Sequence, residues 1–281
     1  MDKGIYTALS GGIAKSHDLE LISNNLANAN TPGYKRDSAT FNEYLTEVRR
    51  FDNVGGLQRE IDQAALTTGR PGGDKSYVEM DGVYTDWRQG GMQKTGGRLD
   101  FAIQGKGFFE VLTPSGPRFT RAGNFQVNNN GVLVNASGHP VLSRDPKLAQ
   151  TGTAISPDSG TPPERRIIRL EAGQVFATPD GNLNQGGIPV AQLSIVEFHE
   201  PQWLEKEGNS LYLNTSPDNF MRGNIRQTQI HQGFIETSNV NPIREMTKLI
   251  EATRAYESHM QAIKTYQQID TRAVNDIAFS R

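Results

Sequence analysis

The chain has 281 residues, and 29 lysines and arginines against 31 aspartates and glutamates give a formal net charge of −2. This near-neutral balance argues against nucleic acid or an anionic membrane surface as the main partner. The sequence contains no cysteine, which excludes thiol catalysis, disulfides and thiolate metal sites. No stretch approaches the roughly 18 apolar residues that a membrane-spanning helix needs. The first residues also lack the pattern of a cleavable signal peptide.

The first predicted element is an amphipathic helix over residues 4–29. Its apolar residues follow one helical stripe, namely Ile5, Leu9, Ile13, Leu19, Ile22 and Leu26. Part of the helix surface carries only small residues, which would let another backbone approach closely. These residues are Ala8, Gly11, Gly12 and Ala14. The helix ends at an Asn-rich segment, residues 28–33, in which Pro32 and Gly33 interrupt the chain.

Residues 31–82 are predicted to form an extended or partly irregular connecting arm. Within this arm a short helix is suggested by Phe41, Tyr44, Leu45 and Val48. Glycine pairs at residues 55–56 and the Gly-Arg-Pro-Gly-Gly run at 69–73 are typical of a mobile connector.

The middle of the chain, residues 83–238, is predicted to be one antiparallel β domain. Apolar and polar residues alternate over 99–103, and short apolar runs recur between turn residues up to 213. The Asn130-Gly131 step between two such runs is a strong hairpin signal. The 29 glycines and 14 prolines suit a turn-rich β protein better than a helical bundle.

The last predicted element is a long helix, for which Asn241 is the N-cap and Pro242 the first residue. Steps of three and four residues from Met246 give a seven-residue repeat through Leu249, Thr253, Tyr256, Met260, Ile263, Gln267, Asp270, Val274 and Ile277. A lone helix cannot bury such a seam. The expected fold is therefore α+β, with residues 1–30 and 239–281 paired as a helical coiled coil around an inserted antiparallel β domain.

Four segments resemble bacterial flagellar rod and hook proteins. The residues 23–35 look like the N-terminal signature of that family, carried here by Asn24, Asn25, Leu26, Asn28, Pro32 and Gly33. The segments 99–109 and 119–125 resemble its core strand motifs. The segment 236–241, with Ser238, Asn239, Val240 and Asn241, and the later Arg-Ala-Tyr-Glu at 254–257 resemble its C-terminal motif. The length and the opening favour a proximal-rod member, whereas the C-terminal motif favours a distal-rod one.

The resemblance implies a structural subunit of the basal-body rod that crosses the periplasm, polymerises with its own copies and with neighbouring rod proteins, and transmits torque from motor to hook. It also implies export without cleavage by the flagellar export apparatus. The predicted subunit interface consists of the two helix seams, represented by Ile5, Leu9, Ile22, Leu26, Met246, Leu249, Tyr256, Met260, Ile263, Val274 and Ile277. Because these seams are costly to expose, we expect both ends to be largely disordered in the free subunit.

No catalytic, cofactor-binding or metal-binding residue is predicted, and no membrane insertion. The five histidines are scattered, without a pair at metal-ligand spacing. The Gly105-Lys106-Gly107 step lacks the third glycine and the following helix of a phosphate loop. The competing interpretation is a β domain that binds or hydrolyses peptidoglycan or another carbohydrate, for which Trp87 and Trp203 are the main support.

Overall fold

The computed structural model describes residues 2–45, 76–144, 162–171, 173–216, 219–221 and 228–279. For a few residues at the ends of these stretches only the backbone is described. The described part of the chain is α+β, as expected. Along the sequence, one helix precedes and one helix follows a region of antiparallel strands. The chain divides into two compact units, one of Met1–Ser23, Ser38–Tyr84 and Ile243–Arg281, the other of Asn24–Asp37 and Thr85–Pro242.

Two long helices dominate the first unit. Helix α1 covers Asp2–Ala27 and helix α2 covers Pro242–Phe279. Both predictions are confirmed within two residues at each boundary, and α2 begins at the predicted Pro242. A proline fits this first helical position because the N–H that it lacks has no partner within the helix.

The first unit also contains two paired strands, β1 (Asp37–Leu45) and β2 (Ser76–Thr85). The short helix predicted around Phe41 is therefore wrong as far as Leu45. Polar and apolar residues alternate from Ser38 to Asn42, and this period of two favours a strand over a helix. Val48 and the glycine-rich runs at 55–56 and 69–73 lie outside the described residues. The division into three predicted domains stays a prediction.

The second unit contains the remaining strands. The first of these are β3 (Met92–Lys94), β4 (Phe101–Gln104), β5 (Phe108–Thr113), β6 (Gly116–Thr120), β7 (Gln126–Val127), β8 (Leu133–Val134) and β9 (Val175–Ala177). They are followed by β10 (Asn182–Gln185), β11 (Ile188–Gln192), β12 (Ile195–Phe198), β13 (Leu204–Gly208), β14 (Leu211–Asn214), β15 (Phe220–Met221), β16 (Gln229–Gln232) and β17 (Phe234–Glu236). Single 3-10 turns occupy Pro163–Arg166 and Pro201–Trp203.

The largest sheet has the strand order β13-β14-β6-β5-β12-β15, and its pairs are antiparallel. A three-stranded sheet has the order β11-β10-β9, and three two-stranded pairs join β16 to β4, β17 to β3 and β7 to β8. The last two strands before α2 therefore pair with strands that lie more than a hundred residues earlier, as in Glu236 opposite Met92. The strands just before α2 therefore complete sheets whose other strands lie more than a hundred residues earlier in the second unit.

The predicted hairpin around Asn130-Gly131 is confirmed. Strands β7 and β8 pair in antiparallel register, and Gly131 has a φ of 74°. The Oδ1 atom of Asn128 accepts hydrogen bonds from the backbone N–H groups of Asn130 and Val132, both at 2.9 Å. Asn135 and Gly138 repeat this turn seven residues later, with bonds to Ser137 at 3.0 Å and His139 at 2.8 Å.

Two clusters of buried side chains form the core of the second unit. The larger one combines side chains from several sheets and includes Phe101, Phe109, Leu133, Leu183 and Ile230. The smaller one is aromatic and consists of Phe108, Phe119, Phe198, Leu204 and Tyr212, with Trp87 packed against it.

Candidate functional site

Helices α1 and α2 contact each other in antiparallel orientation through the small residues of α1. A Cβ atom built on Gly4 would lie 2.9 Å from Cζ of Tyr266, and one built on Gly11 would lie 2.8 Å from Cε1 of His259. At distances below about 3 Å the neighbouring side chain of α2 would have to move to admit a Cβ atom. Gly4 and Gly11, which weaken α1 as an isolated helix, therefore permit the close approach of α2.

The predicted seam of α1 is only partly buried. Ile22 is 5% exposed, whereas Ile5 and Leu26 are half-buried and Leu9 is 41% exposed. The other buried positions of this helix are occupied by small or polar residues: Gly11, Gly12, Ala14 and Asn25.

On α2 the most buried positions are Glu245, Ala252 and Ile263. Of the predicted seam, Ile263 is buried, Met246 is 51% exposed, and Leu249, Tyr256 and Met260 are half-buried. The side chains of Val274 and Ile277 lie outside the described residues. The buried position is Ala252, one residue before the predicted seam position 253. A small side chain at this position suits a close contact between two helices. The assignment of these residues to a subunit interface stays a prediction.

Each terminal helix carries an exposed apolar face near one end. On α1 the face consists of Tyr6, Leu9 and Ile13, and on α2 it consists of Ile243, Met246 and Ile250. Both sets have the three-then-four spacing of one helical face. Their exposed fractions run from 41% to 76%. Each terminal helix therefore presents three large apolar side chains to solvent on one face.

The N-terminal motif lies in the second unit, where its asparagines hold the chain as it leaves α1. The buried amide of Asn25 forms two bonds with the backbone of Asp37: Oδ1 accepts from the N–H at 2.9 Å, and Nδ2 donates to the carbonyl at 2.8 Å. The Tyr34 hydroxyl donates to Oδ1 of Asn24 at 2.9 Å, and Asn28 bonds back to the carbonyl of Asn24 at 2.9 Å. These bonds fold residues 24–37 into a compact segment, which we call the N-terminal strap.

The N-terminal and C-terminal motifs meet at Glu236, whose side chain is fully buried. Its Oε1 atom accepts from Nζ of Lys35 at 2.6 Å and from the backbone N–H of Gly90 at 3.0 Å. Its Oε2 atom accepts from a guanidinium nitrogen of Arg121 at 3.1 Å. We call this group of residues (Lys35, Gly90, Arg121 and Glu236) the motif junction.

Both cations of the motif junction are shielded from water. Burial lowers the pKa of Lys35 and that of Arg121, while the carboxylate of Glu236 opposes both shifts. A buried ion pair gains less than its distance suggests, because desolvation offsets the attraction. Losing one partner is nevertheless costly, since it leaves the other charge buried and unpaired.

Backbone contacts surround this charge cluster. The N–H of Gly33 donates to the carbonyl of Glu236 at 2.9 Å, and the N–H of Arg36 donates to Oδ1 of Asn239 at 2.7 Å. Nδ2 of Asn239 donates in turn to the carbonyl of Asp86 at 2.8 Å. Gly33 has a φ of 68°, and a Cβ on it would lie 2.4 Å from the backbone nitrogen of Ala122.

The remaining motif residues line the same region. Val240 is buried, and its N–H donates to Oγ of Ser238 at 3.2 Å. The carbonyl of Pro32 accepts from the Ser210 hydroxyl at 3.3 Å. Asn241 directly precedes α2 and is exposed. The motif residues around residue 33 and residue 239 are therefore brought together.

Sequence reasoning did not select Lys35, Arg121 or Glu236 as site residues. All three stand inside the recognised motifs, so the signal that could have identified them was a single charged residue within an otherwise uncharged motif segment. Charged side chains are rarely fully buried unless paired. Which carboxylate pairs with which cation could not be read from the motifs alone.

The two tryptophans have different surroundings. Trp87 packs edge-on against Phe108 and Tyr212, with ring centroids at 5.7 Å and 5.1 Å. Trp203 is 49% exposed, and its indole N–H donates to a carboxylate oxygen of Glu200 at 2.7 Å. Among the described residues, no cluster of histidine, aspartate and glutamate side chains has the composition of a metal site. No helix in the described ranges is long and apolar enough to cross a membrane.

Three protein-family models match the chain. The model described as "Flagella basal body rod protein" matches residues 5–35. "Flagellar hook protein FlgE/F/G D1 domain" matches residues 102–183. "Flagellar basal body rod FlgEFG protein C-terminal" matches residues 231–276. The first and last of these cover parts of both terminal helices, together with Lys35 and Glu236 of the motif junction.

Curated relatives match over nearly the whole chain. A flagellar basal-body rod protein FlgF from Caulobacter vibrioides is 34% identical over 275 residues, which cover 98% of this chain and 97% of the relative. A rod protein FlgG from the same organism is 34% identical over 273 residues, covering 95% and 96% respectively. A FlgG from Buchnera aphidicola is 31% identical over 275 residues, covering 96% and 97%.

Proposed function

The chain belongs to the family of flagellar basal-body rod proteins, and from this membership we propose that it polymerises into the rod through its two terminal helices. As a member it is a structural protein of the flagellar basal body. The observation that supports the proposal most directly is the pair of exposed apolar helix faces, Tyr6-Leu9-Ile13 and Ile243-Met246-Ile250.

We propose that α1 and α2 of one subunit form a two-stranded antiparallel coiled coil. The contacts of Gly4 with Tyr266 and of Gly11 with His259 support this pairing, because the two steps are seven residues apart on both helices. One side of each helix is then used within the subunit. The apolar faces that stay exposed are available for neighbouring subunits of the same or other rod proteins.

We propose that the free subunit keeps these helices largely disordered and that assembly orders them. A mean exposure near one half for six large apolar side chains is costly in water, at about 25 cal/mol for each Å². Glycines 4, 11 and 12 add roughly 1 kcal/mol each to the cost of forming α1 alone. Burial against neighbouring subunits offsets both costs.

The family membership also supports the wider proposal that the assembled subunit crosses the periplasm and transmits torque to the hook. Export by the flagellar apparatus without a cleaved signal peptide belongs to the same proposal. An intact helical unit is central to torque transmission, since a two-helix strand resists twisting better than a flexible chain.

A matched pair of substitutions tests the proposal. Ile13→Asp places a charge in the exposed face of α1, and Ile188→Asp places the same charge at an exposed isoleucine of β11. In a strain lacking the gene, we expect complementation with the Ile13→Asp variant to abolish swimming and incorporation into purified basal bodies. The Ile188→Asp variant should support both. Normal swimming with Ile13→Asp, at normal protein levels, would refute the proposal.

A further inference from the structure

The N-terminal strap and the segment 234–241 are joined by three contacts between residues about two hundred positions apart. They are the Gly33–Glu236 backbone bond, the Lys35–Glu236 ion pair and the Arg36–Asn239 bond. We propose that Lys35 is a positioning residue that makes the docking of these two segments depend on each other. This inference goes beyond the proposed function and does not depend on polymerisation.

The buried charges of Lys35 and Glu236 make the docking of the strap depend strongly on the docking of the segment 234–241. The side chain of Lys35 is 1% exposed and that of Glu236 is 0% exposed. The Lys35 ammonium has two acceptors, Oε1 of Glu236 at 2.6 Å and the carbonyl of Arg88 at 2.8 Å. A strap that docked without Glu236 would bury an ammonium without its counter-charge, which is strongly unfavourable. Docking of the strap therefore requires the C-terminal segment to be in place.

Arg121 makes this link separable from the stability of the β domain. Its guanidinium contacts the other carboxylate oxygen of Glu236 at 3.1 Å and the carbonyl of Gly105 at 2.9 Å. Without the Lys35 ammonium, Glu236 keeps a one-to-one ion pair with Arg121 and the bond from Gly90. Removing the Lys35 ammonium thus deletes the charged contact between Glu236 and the strap, while the carboxylate stays compensated.

The dependence has a consequence for the order of folding. Glu236 follows Lys35 by 201 residues, so the strap cannot be locked before nearly the whole chain is available. Contacts between such distant residues form late, because the intervening loop must be closed first. Because of Lys35, the N-terminal strap therefore docks only after β17, the strand that leads into α2, has docked.

Lys206 provides a matched control. Its ammonium is also partly buried against the strap, where it pairs with Oδ2 of Asp37 at 2.7 Å and bonds to the carbonyl of Lys35. It also lies 4.3 Å from the centre of the Tyr34 ring. These contacts attach the strap to β13 and not to the segment 234–241.

The experiment compares Lys35→Met and Lys206→Met in the full chain by amide hydrogen exchange. The peptides to follow are 28–37, 234–241 and, as an internal reference, 108–120. In Lys35→Met we expect exchange in both 28–37 and 234–241 to rise about ten-fold or more, with 108–120 little changed. In Lys206→Met only 28–37 should accelerate. Wild-type exchange of 234–241 in Lys35→Met would overturn the proposal.

A measurement on the unaltered chain decides the question if Lys35→Met does not fold. Exchange is followed in rising, sub-denaturing urea for the amides of Gly33 and Thr237, which donate to Glu236 and Gly91 respectively. Segments that open together share one urea slope and one opening free energy. Equal slopes support the proposal, and clearly different slopes overturn it.

Discussion

Gly11 of α1 lies directly against the imidazole of His259 on α2, at a point where a Cβ atom on the glycine would be 2.8 Å from Cε1 of the histidine. Its neighbour Gly12 is also buried, yet a Cβ there would be 3.8 Å from Cβ of His259, which is an ordinary contact. Two adjacent glycines in one helix thus have different roles. Gly11 permits the close approach of α2. Gly12 lowers the stability of α1 and makes no such close contact.

This difference predicts opposite outcomes for the same substitution. Gly12→Ala should strengthen α1 by up to about 1 kcal/mol, the difference in helix propensity, and should lower the critical concentration for self-assembly about five-fold. Gly11→Ala should lose that gain, because His259 must move. Adding His259→Ala to Gly11→Ala should recover it. Equal effects of the two alanine substitutions would contradict the close helix contact.

The clasp between Asn25 and the backbone of Asp37 predicts a second matched pair. Asn25→Ala removes a bond at 2.8 Å and one at 2.9 Å, and it leaves a partly buried N–H and carbonyl of Asp37 without their partner. We expect a loss of about 1–3 kcal/mol in the free energy of unfolding. Asn30 is exposed, so Asn30→Ala should stay within about 0.5 kcal/mol of the wild type. Urea denaturation of both variants measures the difference.

Alanine substitutions at Gly33 and Gly138 distinguish the stability cost of backbone strain from that of steric overlap. Both have positive φ, 68° and 85°, but only Gly33 has backbone atoms of Arg121 and Ala122 within 3 Å of the Cβ position. Gly138→Ala should cost about 1–2 kcal/mol, the left-handed penalty alone. Gly33→Ala should exceed about 3 kcal/mol, since overpacking adds about 1–3 kcal/mol. Thermal melting that ranks the two variants in the opposite order would contradict the packing of the strap on Ala122.

The fold was predictable from the sequence where the pattern was long or the turn chemistry strong. Helix α2 combines a seven-residue repeat with Pro242 at its first position, and the β7–β8 hairpin is specified by Asn130-Gly131. Strand β1 was predicted as a helix because Phe41, Tyr44 and Leu45 have helical spacing, although the residues from Ser38 to Asn42 alternate with the period of a strand. Strand β6 contains Pro117, which pairs opposite Leu112 without breaking the ladder.

The motif junction was not predictable in the same way. The motifs themselves were recognised, but the pairing of Lys35 with Glu236 depends on a contact between residues far apart in sequence. Charged residues are assigned to the surface by default, and no local periodicity marks an exception. A close contact of α1 with another backbone was predicted, because Gly11 was expected to permit a close approach. Its partner, His259, lies outside the predicted apolar seam.

A pH-dependent contribution is expected from Asp86, which lies beside the motif junction and whose carbonyl accepts a bond from Asn239. The hydrogen bond from Arg88 holds the pKa of the Asp86 carboxyl below its usual value. A carboxyl with a lowered folded-state pKa contributes stability above its unfolded pKa, and that stability is lost as pH falls through the lowered value. In Arg88→Gln the pKa of Asp86 should rise toward the ordinary value, as followed by NMR titration. An unchanged Asp86 titration would contradict the role given to Arg88.

Amide hydrogen exchange of the same chain in its free and its assembled state tests the central claim most directly. The claim is that the terminal helices are the polymerising surface. On assembly, residues 5–26 and 243–272 should change from weak to strong protection, while the β5–β6 hairpin should keep its protection. Strong protection of both helices in the free subunit, with no gain on assembly, would contradict the account.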